Sequence, residues 1–453
     1  MHMRFHLLLV AVLAVTTAHA TFAQEAASRP NVVLIITDDM GWADLSSYGA
    51  TDIKTPNIDS IGRDGIRLTD FYANGVMCTP TRAGLISGRY QQRYALEIPL
   101  GHAASPSGHL GLPVTGHSLP QLLKTNGYAT ALVGKWHLGY KPEFSPRAHG
   151  FDYFFGLKSG YHDFYQHNDN AGAPDLFENE TPIAVDGYTT DLVTERAVKF
   201  ITQNAGRPFF IDVAYNAPHW PYQPPGKPSI ARDHARHVLP SDPDAGTRAD
   251  YAAMVERVDR GVGDILGTLA RLKLADNTIV IFTNDNGGEW LASNGPLFNR
   301  KMTVWEGGIR VPALIRWPGR IPAGKVSDQV GITMDLTATI LAASGTRVPA
   351  DARLEGVNLL PIWAGKAPTT ERTLFWRTGF AGFTQRAVRS GDWKLVRDGT
   401  GHVFVFNLRS DPGERQDLAN RRQDVAQKLW PLVQAWERDV DAEAKAPRTM
   451  QPQ

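Results

Sequence analysis

The sequence predicts a doubly wound α/β fold, in which a mostly parallel central sheet is flanked by helices and is followed by a smaller antiparallel sheet with a helix. Two observations carry this prediction. Short apolar, β-branched runs recur before Pro361, end in polar or glycine-containing loops, and alternate with helical patterns. After Pro361 the runs follow one another across glycine-rich turns, which is typical of antiparallel strands.

The central sheet has five predicted strands, at residues 31–37, 129–133, 209–215, 278–283 and 313–316. The clearest helix spans about residues 250–272, where apolar side chains repeat every three or four positions and form one stripe. A second helix begins at Ser118, with a proline in its first turn, and ends before Gly127. A third spans about residues 334–343.

The C-terminal part contains four predicted strands and then a charged helix, at residues 373–376, 385–390, 393–397, 402–407 and 422–442. We expect this helix to cover an edge of the small sheet. The predicted organisation is a signal peptide (1–23), a large α/β domain (24–360) and a C-terminal subdomain (361–453). Residues 223–247 carry five prolines and mixed charges, which predicts a long irregular excursion within the large domain.

Charge and the N-terminus indicate where the protein acts. Forty-seven Lys and Arg against forty-six Asp and Glu give a net charge of +1, so no overall field attracts nucleic acid or an anionic membrane. Arg4, the apolar run 7–15 and the small residues around Ala20 and Ala23 are typical of a secretory signal. The alternative is a short membrane anchor, but the run is shorter than the ~20 residues of a spanning helix. We expect a periplasmic or secreted protein without a membrane contact after signal cleavage.

Polar residues stand directly after the predicted strands, where ligands bind in open α/β sheets. Asp38 and Asp39 follow the first strand, Lys135 and His137 the second, and His219 the third. If the second strand persists, Lys135 and His137 project from the same face. The fourth strand ends in Asn-Asp-Asn-Gly-Gly. Carboxylate and amide oxygens are suitable ligands for Ca²⁺ or Mg²⁺. The alternative for each of these polar motifs is a turn or a helix cap without a metal. The candidate ligands are therefore the carboxylates of Asp38, Asp39 and Asp285 and an asparagine amide oxygen of this last motif.

The chain has one cysteine, Cys78, so it has no internal disulfide. Pro80 and Arg82 follow it in a Cys-x-Pro-x-Arg arrangement. The residue types leave two interpretations open: a nucleophile held as thiolate by Arg82, or a small buried hydrophobic residue.

This segment resembles the signature of the type I sulfatases, whose cysteine is oxidised after synthesis to Cα-formylglycine. Residues 127–139, with Gly-Lys-Trp-His-Leu-Gly at their end, resemble the second signature of that family, and Asp38–Gly41 and Asn284–Gly288 resemble its metal motifs. Lys301, upstream of residues 305–312, is similar to its distal active-site lysine. The similarity is arylsulfatase-like or N-acetylgalactosamine-sulfatase-like, covers about residues 30–418, and implies an alkaline-phosphatase-like fold. Thr81 departs from the usual serine or alanine, and residues 99–117 match no substrate-specific pattern.

The resemblance implies a mechanism for sulfate ester hydrolysis. One Ca²⁺, with Mg²⁺ as the alternative, would be held by an oxygen of oxidised Cys78 and by Asp38, Asp39, Asp285 and Asn286. Arg82 and Lys135 would orient the hydrated aldehyde, one hydroxyl of which attacks sulfur. His219 and Lys301 would grip the sulfate and protonate the departing alcohol, and His137 would then deprotonate the second hydroxyl to release sulfate.

The implied function is a sulfatase acting on aryl sulfates in vitro and on sulfated carbohydrates in nature, with a formylglycine-generating enzyme as its maturation partner. Two alternatives stay open. One is a phosphoester or phosphonate hydrolase of the same superfamily, because phosphate and sulfate are nearly isosteric. The other is a non-catalytic sulfoglycan-binding protein, which applies if Cys78 is unmodified.

Two further groups of residues carry weaker signals. The loop 160–169 is rich in aromatic and polar side chains, which is compatible with the wall of a sugar-binding cleft or with a loop packed on itself. His234 and His237 lie three residues apart in the irregular excursion, where a solvated surface is favoured over a metal site.

Overall fold

The computed structural model describes residues 29–227, 246–379 and 384–444. The predicted doubly wound α/β architecture with a small C-terminal antiparallel sheet is confirmed. The predicted signal peptide, His234 and His237 lie outside the described residues. Among the described helices, none combines the length and the apolar character that crossing a bilayer requires.

The central sheet has ten strands in the order β11-β2-β10-β9-β1-β8-β4-β5-β6-β7. Its inner strands β9, β1, β8, β4 and β5 are parallel. The strand bounds are β1 Asn31–Thr37, β2 Ile66–Leu68, β4 Ala129–Gly134, β5 Tyr153–Gly156, β6 Phe177–Glu178, β7 Thr181–Pro182, β8 Phe209–Ala214, β9 Thr278–Asn284, β10 Ala313–Arg316 and β11 Lys325–Ser327. A separate two-stranded sheet consists of β3 Phe71–Tyr72 and β12 Gly331–Ile332.

The inner strands are continuous apolar runs because both faces of the sheet are covered. In β1 the side chains of Val32, Leu34 and Ile36 enter one apolar layer, while Val33 and Ile35 enter the other. The helices α2 Cys78–Ser87, α3 Leu119–Thr125 and α7 Thr333–Ala343 contribute to the first layer, and α1 Pro56–Arg63, α4 Thr189–Gln203 and α5 Arg248–Arg271 contribute to the second.

Two of the predicted helix starts are explained by capping. Ser118 accepts the backbone N–H of Gln121, and the Gln121 side chain in turn accepts the backbone N–H of Ser118. Thr247 and Asp250 form the same reciprocal pair at the start of α5. These contacts satisfy N–H groups that the first helical turn leaves unpaired.

The strand β10 is antiparallel to its neighbours β9 and β2, so the sheet is mixed at this side. The helices α1 and α4 were not predicted. In α4 four threonines interrupt the apolar pattern, although its apolar stripe, which includes Val193, Ala197 and Ile201, is buried against the sheet.

The small sheet consists of β13 Thr373–Thr378, β14 Gln385–Ser390, β15 Trp393–Arg397 and β16 Val403–Asn407, in sequential antiparallel order. The short helices α6 Glu306–Ile309 and α8 Leu360–Trp363 precede it, and α9 Gln423–Glu443 follows it. The expectation that the charged helix covers an edge was wrong. Leu429 and Val433 of α9 pack on Val388, Leu395 and Val405, so the helix lies on the face of the sheet.

Candidate active site

The carboxyl ends of the parallel strands bring acidic residues together. Strands β1 and β9 pair in register up to Thr37 and Asn284, so the residues that follow them are neighbours. Asp38 and Asp39 leave β1 and Asp285 leaves β9, and all three are buried. Asp39 adopts a left-handed backbone conformation with φ of 63°, which turns the chain sharply away from the sheet.

Cys78 is the first residue of α2, and its side chain points at this acidic cluster. The Cys78 Sγ lies 3.3 Å from Oδ1 of Asp38, and the residue is only 2% exposed. Thr81 does not face the cluster. Its hydroxyl accepts the N–H of Gly75 and donates to the carbonyl of the same residue, so it fixes the loop that precedes the cysteine.

Each buried carboxylate contacts one buried cation. The three shortest contacts are Lys135 Nζ to Asp38 Oδ2 at 2.5 Å, Arg82 to Asp285 Oδ2 at 2.9 Å, and Lys301 Nζ to Asp39 Oδ2 at 2.6 Å. Buried charges are strongly unfavourable without such partners. The arrangement therefore concentrates six ionisable groups around Cys78 in a region that solvent barely reaches.

The environment of Cys78 disfavours a thiolate. Burial raises the pKa of the Cys78 thiol well above its ordinary value, and the Asp38 carboxylate raises it further. Burial also raises the pKa of Asp285 to about 7, with a further contribution from Asp38. Of the two interpretations that the residue types left open, the arginine-stabilised thiolate is thus the one that this geometry opposes.

His137 presents one unoccupied nitrogen. Its Nε2 lies 2.8 Å from the carbonyl oxygen of Leu100 and donates a hydrogen bond to it. The other ring nitrogen, Nδ1, therefore carries no proton and has a free lone pair. That Nδ1 is buried and has no hydrogen-bond partner among the described residues. Burial, reinforced by the charge of Lys135, lowers the pKa of His137 well below its ordinary value, so the ring is neutral.

The condition under which Lys135 and His137 would project from one face, a strand that persists through both residues, is not met. Strand β4 ends at Gly134, and His137 adopts a left-handed φ of 56°. The loop, rather than the pleat of a strand, brings both side chains to the site. Lys135 reaches Asp38 at the base of the site, whereas His137 lines the cavity above Cys78.

His219 connects two of the charged groups. Its Nδ1 donates to the carbonyl of Trp220 at 2.5 Å, and its Nε2 lies 3.3 Å from both Asp39 Oδ2 and Lys301 Nζ. Burial lowers the pKa of His219 to about 3, although the Asp39 carboxylate acts in the opposite direction. The neutral ring accepts a hydrogen bond from Lys301 at Nε2.

The cluster has the donor set of a site for a hard divalent cation. Ligand atoms of Asp38, Asp39, Cys78 and His219 all lie within 4.8 Å of one another. Asn286 donates from Nδ2 to Asp39 Oδ1 at 2.7 Å, but its own Oδ1 is buried without a partner among the described residues. Three crowded carboxylates and an unsatisfied amide oxygen are what Ca²⁺ or Mg²⁺ would satisfy.

A cavity of about 220 Å³ opens above Cys78. Aromatic side chains form part of its wall: the ring of Tyr161 stacks on His219 at a centroid distance of 5.2 Å and meets Trp220 edge-on. Of the loop 160–169, Tyr161 lines the cavity, whereas His162 and Asp163 are buried in contacts with Thr189 and Gln223. The loop therefore places one aromatic side chain at the cavity and packs its next two residues against other segments of the protein.

Sequence reasoning missed several residues that line the cavity, namely Pro99, Leu100, Gly101, His102, Asn170, Trp220, Glu289, Trp290 and Met302. Glu289 and Trp290 carried a usable signal, because they directly follow the polar motif at the end of β9. The segment 99–102 carried none, since its position depends on how the loop after α2 folds back over Cys78. All ten predicted site residues, in contrast, lie in this one region.

Comparisons with known proteins agree with this geometry. A family model described as sulfatase matches residues 30–346, and a model of the C-terminal part of N-sulphoglucosamine sulphohydrolase matches residues 295–438. The N-acetylgalactosamine-6-sulfatase of Canis lupus familiaris is 35% identical, with 93% of this chain and 88% of that protein covered. The arylsulfatase A of Bos taurus is 31% identical, with 91% and 88% covered.

A solved structure gives the same result at the level of the fold. The crystal structure of Ps i-CgsB has a TM-score of 0.82 and 30% sequence identity, with 90% of this chain and 93% of that chain covered. The same protein in complex with k-i-k-neocarrahexaose has a TM-score of 0.81. With a family match over most of its length and relatives above 30% identity, this chain belongs to the type I sulfatase family and is a sulfuric ester hydrolase.

Proposed function

We propose that the protein hydrolyses O-sulfate monoesters of carbohydrates, using a Cα-formylglycine derived from Cys78 and one divalent cation, with Ca²⁺ preferred over Mg²⁺. One observation carries the proposal: Cys78 points into a buried cluster that combines three carboxylates, three fixed cations and an unpartnered amide oxygen. A sulfate ester is a dispersed anion, and attack on its sulfur needs preorganised positive charge. The three fixed cations balance the three carboxylates, so a dication bound to those carboxylates would supply that excess of positive charge.

The cation would be held by Asp38, Asp39, Asp285, Asn286 and an oxygen on oxidised residue 78. When bound, such a cation would supply electrostatic stabilisation of negative charge on the sulfate oxygens. Arg82 and Lys135 have a different task. They neutralise Asp285 and Asp38 from below, at 2.9 Å and 2.5 Å, and so keep the ligand carboxylates in fixed orientations.

Oxidised residue 78, as an aldehyde hydrate, supplies one hydroxyl as nucleophile and a second hydroxyl whose deprotonation drives sulfate release. His137 is the base for that proton. Its Nε2–H is held by the Leu100 carbonyl at 2.8 Å, so the lone pair of Nδ1 is fixed in direction. The depressed pKa keeps this lone pair free of a proton at neutral pH.

The proton for the departing alcohol is held by Lys301 and His219 together. Burial acts to lower the pKa of Lys301, but the carboxylate of Asp39 raises it well above its ordinary value, so Lys301 carries the proton. Lys301 Nζ lies 3.3 Å from Nε2 of His219. His219 thus orients the ammonium group by accepting its hydrogen bond at Nε2, with its own Nδ1–H anchored on Trp220, and Lys301 passes the proton to the departing alcohol.

The substrate class follows from relatives and from the cavity. The relatives include an N-acetylgalactosamine-6-sulfatase and a protein crystallised with a neocarrahexaose. The wall above Cys78 combines aromatic rings with a few polar groups, which suits a sugar ring. Aryl sulfates would serve as laboratory substrates. The sequence signals at residues 1–23 support action in the periplasm or outside the cell.

The test combines mass spectrometry with a paired assay. Protein made together with a formylglycine-generating enzyme should show a residue-78 peptide that has lost its sulfur, and should hydrolyse nitrophenyl sulfate faster than nitrophenyl phosphate. Cys78→Ser should fold but lose steady-state turnover, because serine has no second hydroxyl. Faster phosphate hydrolysis would favour the phosphoesterase alternative, and undiminished sulfate turnover by a protein with an intact thiol would refute the formylglycine mechanism.

A further inference from the structure

We propose that the cavity above Cys78 selects a neutral sugar with a single sulfate, and that Glu289 is the residue that excludes sugars with a second anionic group. This inference rests on the proposed function and narrows its substrate class. It follows from the distribution of charge over the described residues of the cavity wall.

The wall offers positive charge at one place. Among the described residues that line the cavity, Lys301 is the one lysine, and arginine is absent. Arg82 and Lys135 lie beneath the cavity and are occupied by Asp285 and Asp38. Three histidines also line the cavity. His137 and His219 each donate a ring N–H to a backbone carbonyl, and Nδ1 of His102 is buried without a partner among the described residues. A sulfate that enters toward Cys78 therefore meets Lys301, whose ammonium group already contacts Asp39 and Glu289, and a second anion on the same sugar meets no further lysine or arginine of the described wall.

Glu289 adds negative charge at the same place. It follows Gly287 and Gly288 after β9, and its side chain is 15% exposed, with Oε2 3.3 Å from Lys301 Nζ. In a half-enclosed cavity a second sulfate or a carboxylate would be repelled by this carboxylate, with little screening by water. A sugar hydroxyl, in contrast, donates a charge-assisted hydrogen bond to it.

The remaining wall is apolar and suits an uncharged ring face. Tyr161, Trp220 and Trp290 lie around the cavity, and Tyr161 is held by stacking on His219. The volume of about 220 Å³ is below the roughly 300–1,000 Å³ of ordinary ligand pockets, so the cavity encloses about one sugar residue. The selected ligand is thus a monosulfated pyranose whose other substituents are hydroxyl or acetamido groups.

The experiment compares N-acetylgalactosamine 6-sulfate with N-acetylgalactosamine 4,6-disulfate, on the oxidised wild-type protein, Glu289→Gln and the control Glu371→Gln. Glu371 is exposed and does not line the cavity, so its variant removes the same charge elsewhere. The wild type should favour the monosulfate in kcat/KM by at least about tenfold. Glu289→Gln should reduce that ratio by about tenfold, even if its absolute rates fall because Lys301 loses a contact. Glu371→Gln should leave the ratio unchanged.

One further measurement separates this inference from the proposed function. Binding of both sugars to Cys78→Ala, measured by calorimetry, reports selection without turnover. Tighter binding of the monosulfate by Cys78→Ala, together with no turnover of either sugar by the oxidised wild type, would sustain the selection and overturn the hydrolysis. Equal turnover or binding of both sugars by the wild type, or an unchanged ratio in Glu289→Gln, would overturn the selection.

Discussion

Lys135 Nζ lies 2.5 Å from Oδ2 of Asp38, and neither side chain is exposed to solvent. The lysine leaves β4 and the aspartate leaves β1, so the ion pair connects two strands that are separated by β8 in the sheet. Asp38 also contacts Cys78. The pair therefore fixes the ligand cluster to the sheet and contributes to stability as well as to catalysis.

Replacement of Lys135 by Met should destabilise the protein by about 3–5 kcal/mol, because it leaves the Asp38 carboxylate buried without its cation. Urea unfolding in the presence of a chelator measures this change. Asp38→Asn combined with Lys135→Met should recover most of the loss, because the double variant has no uncompensated charge at this position. Additive effects of the two substitutions would contradict the pairing.

Asn286 provides a test of the cation site that does not depend on turnover. Its Oδ1 has no partner among the described residues, so a bound cation is what would satisfy it. Ca²⁺ at about 100 times its Kd should stabilise the wild type by about 2.7 kcal/mol. Asn286→Ala should need a higher Ca²⁺ concentration for the same rise in Tm, whereas the exposed control Asn420→Ala should behave as the wild type. An identical Ca²⁺ dependence in all three proteins would argue against Asn286 as a ligand.

His149 should make the protein sensitive to mild acid. Burial lowers the pKa of His149 to about 4, and its Nε2 donates to the carbonyl of Leu112. The pKa of His149 is lower in the folded state than the value of about 6.5 in the unfolded state. The contribution of neutral His149 to the free energy of unfolding is therefore complete above about pH 6.5 and is lost as the pH falls below it. Between about pH 7.5 and pH 5 the loss should amount to about 2 kcal/mol.

The variant His149→Gln keeps a donor for Leu112 but does not titrate. Its free energy of unfolding should therefore fall by about 2 kcal/mol less than that of the wild type over the same interval of pH. Urea unfolding at both pH values gives the comparison, since all other titrating groups are shared. If the free energy of unfolding fell by the same amount in both proteins, the acid sensitivity would come from a group other than His149.

Lys394 should be essential for attachment of the small sheet. It is fully buried in β15, and its Nζ lies 2.8 Å from both Glu306 and Glu414. Lys394→Met leaves two buried carboxylates with less positive charge, so we expect a loss of about 3–5 kcal/mol in the free energy of unfolding. The exposed Lys428→Met on α9 is the matched control and should change stability by less than about 0.5 kcal/mol.

The parts of the site that were predictable are those attached directly to strands. The apolar runs that became β1 and β9 are unambiguous, and the parallel arrangement brings their carboxyl ends together, so Asp38 and Asp285 could be expected to meet. His219 could be placed in the same way, because it follows the third predicted strand. Lys301 lies in a loop of irregular course, and its place depended on the family resemblance, because no local pattern determines how such a loop returns to the sheet.

The contacts that were not predictable are those between distant segments. Nothing in the local sequence around Lys394 indicates that its charge is buried between Glu306 and Glu414, since a lysine in an amphipathic strand is usually solvated. The position of α9 on the face of the small sheet depended in the same way on packing partners from several strands. Both features follow from the tertiary arrangement rather than from periodicity.

The burial of Cys78 also has a consequence for the timing of maturation. All ten residues of α2 are buried, and Cys78 is covered by the sheet below and the cavity wall above. A separate enzyme that oxidises this side chain needs the surrounding peptide in an extended, accessible form. Under the proposed chemistry, residue 78 must therefore be oxidised while the chain is still unfolded. A molecule that folds with its thiol intact can no longer be oxidised by that enzyme and stays inactive.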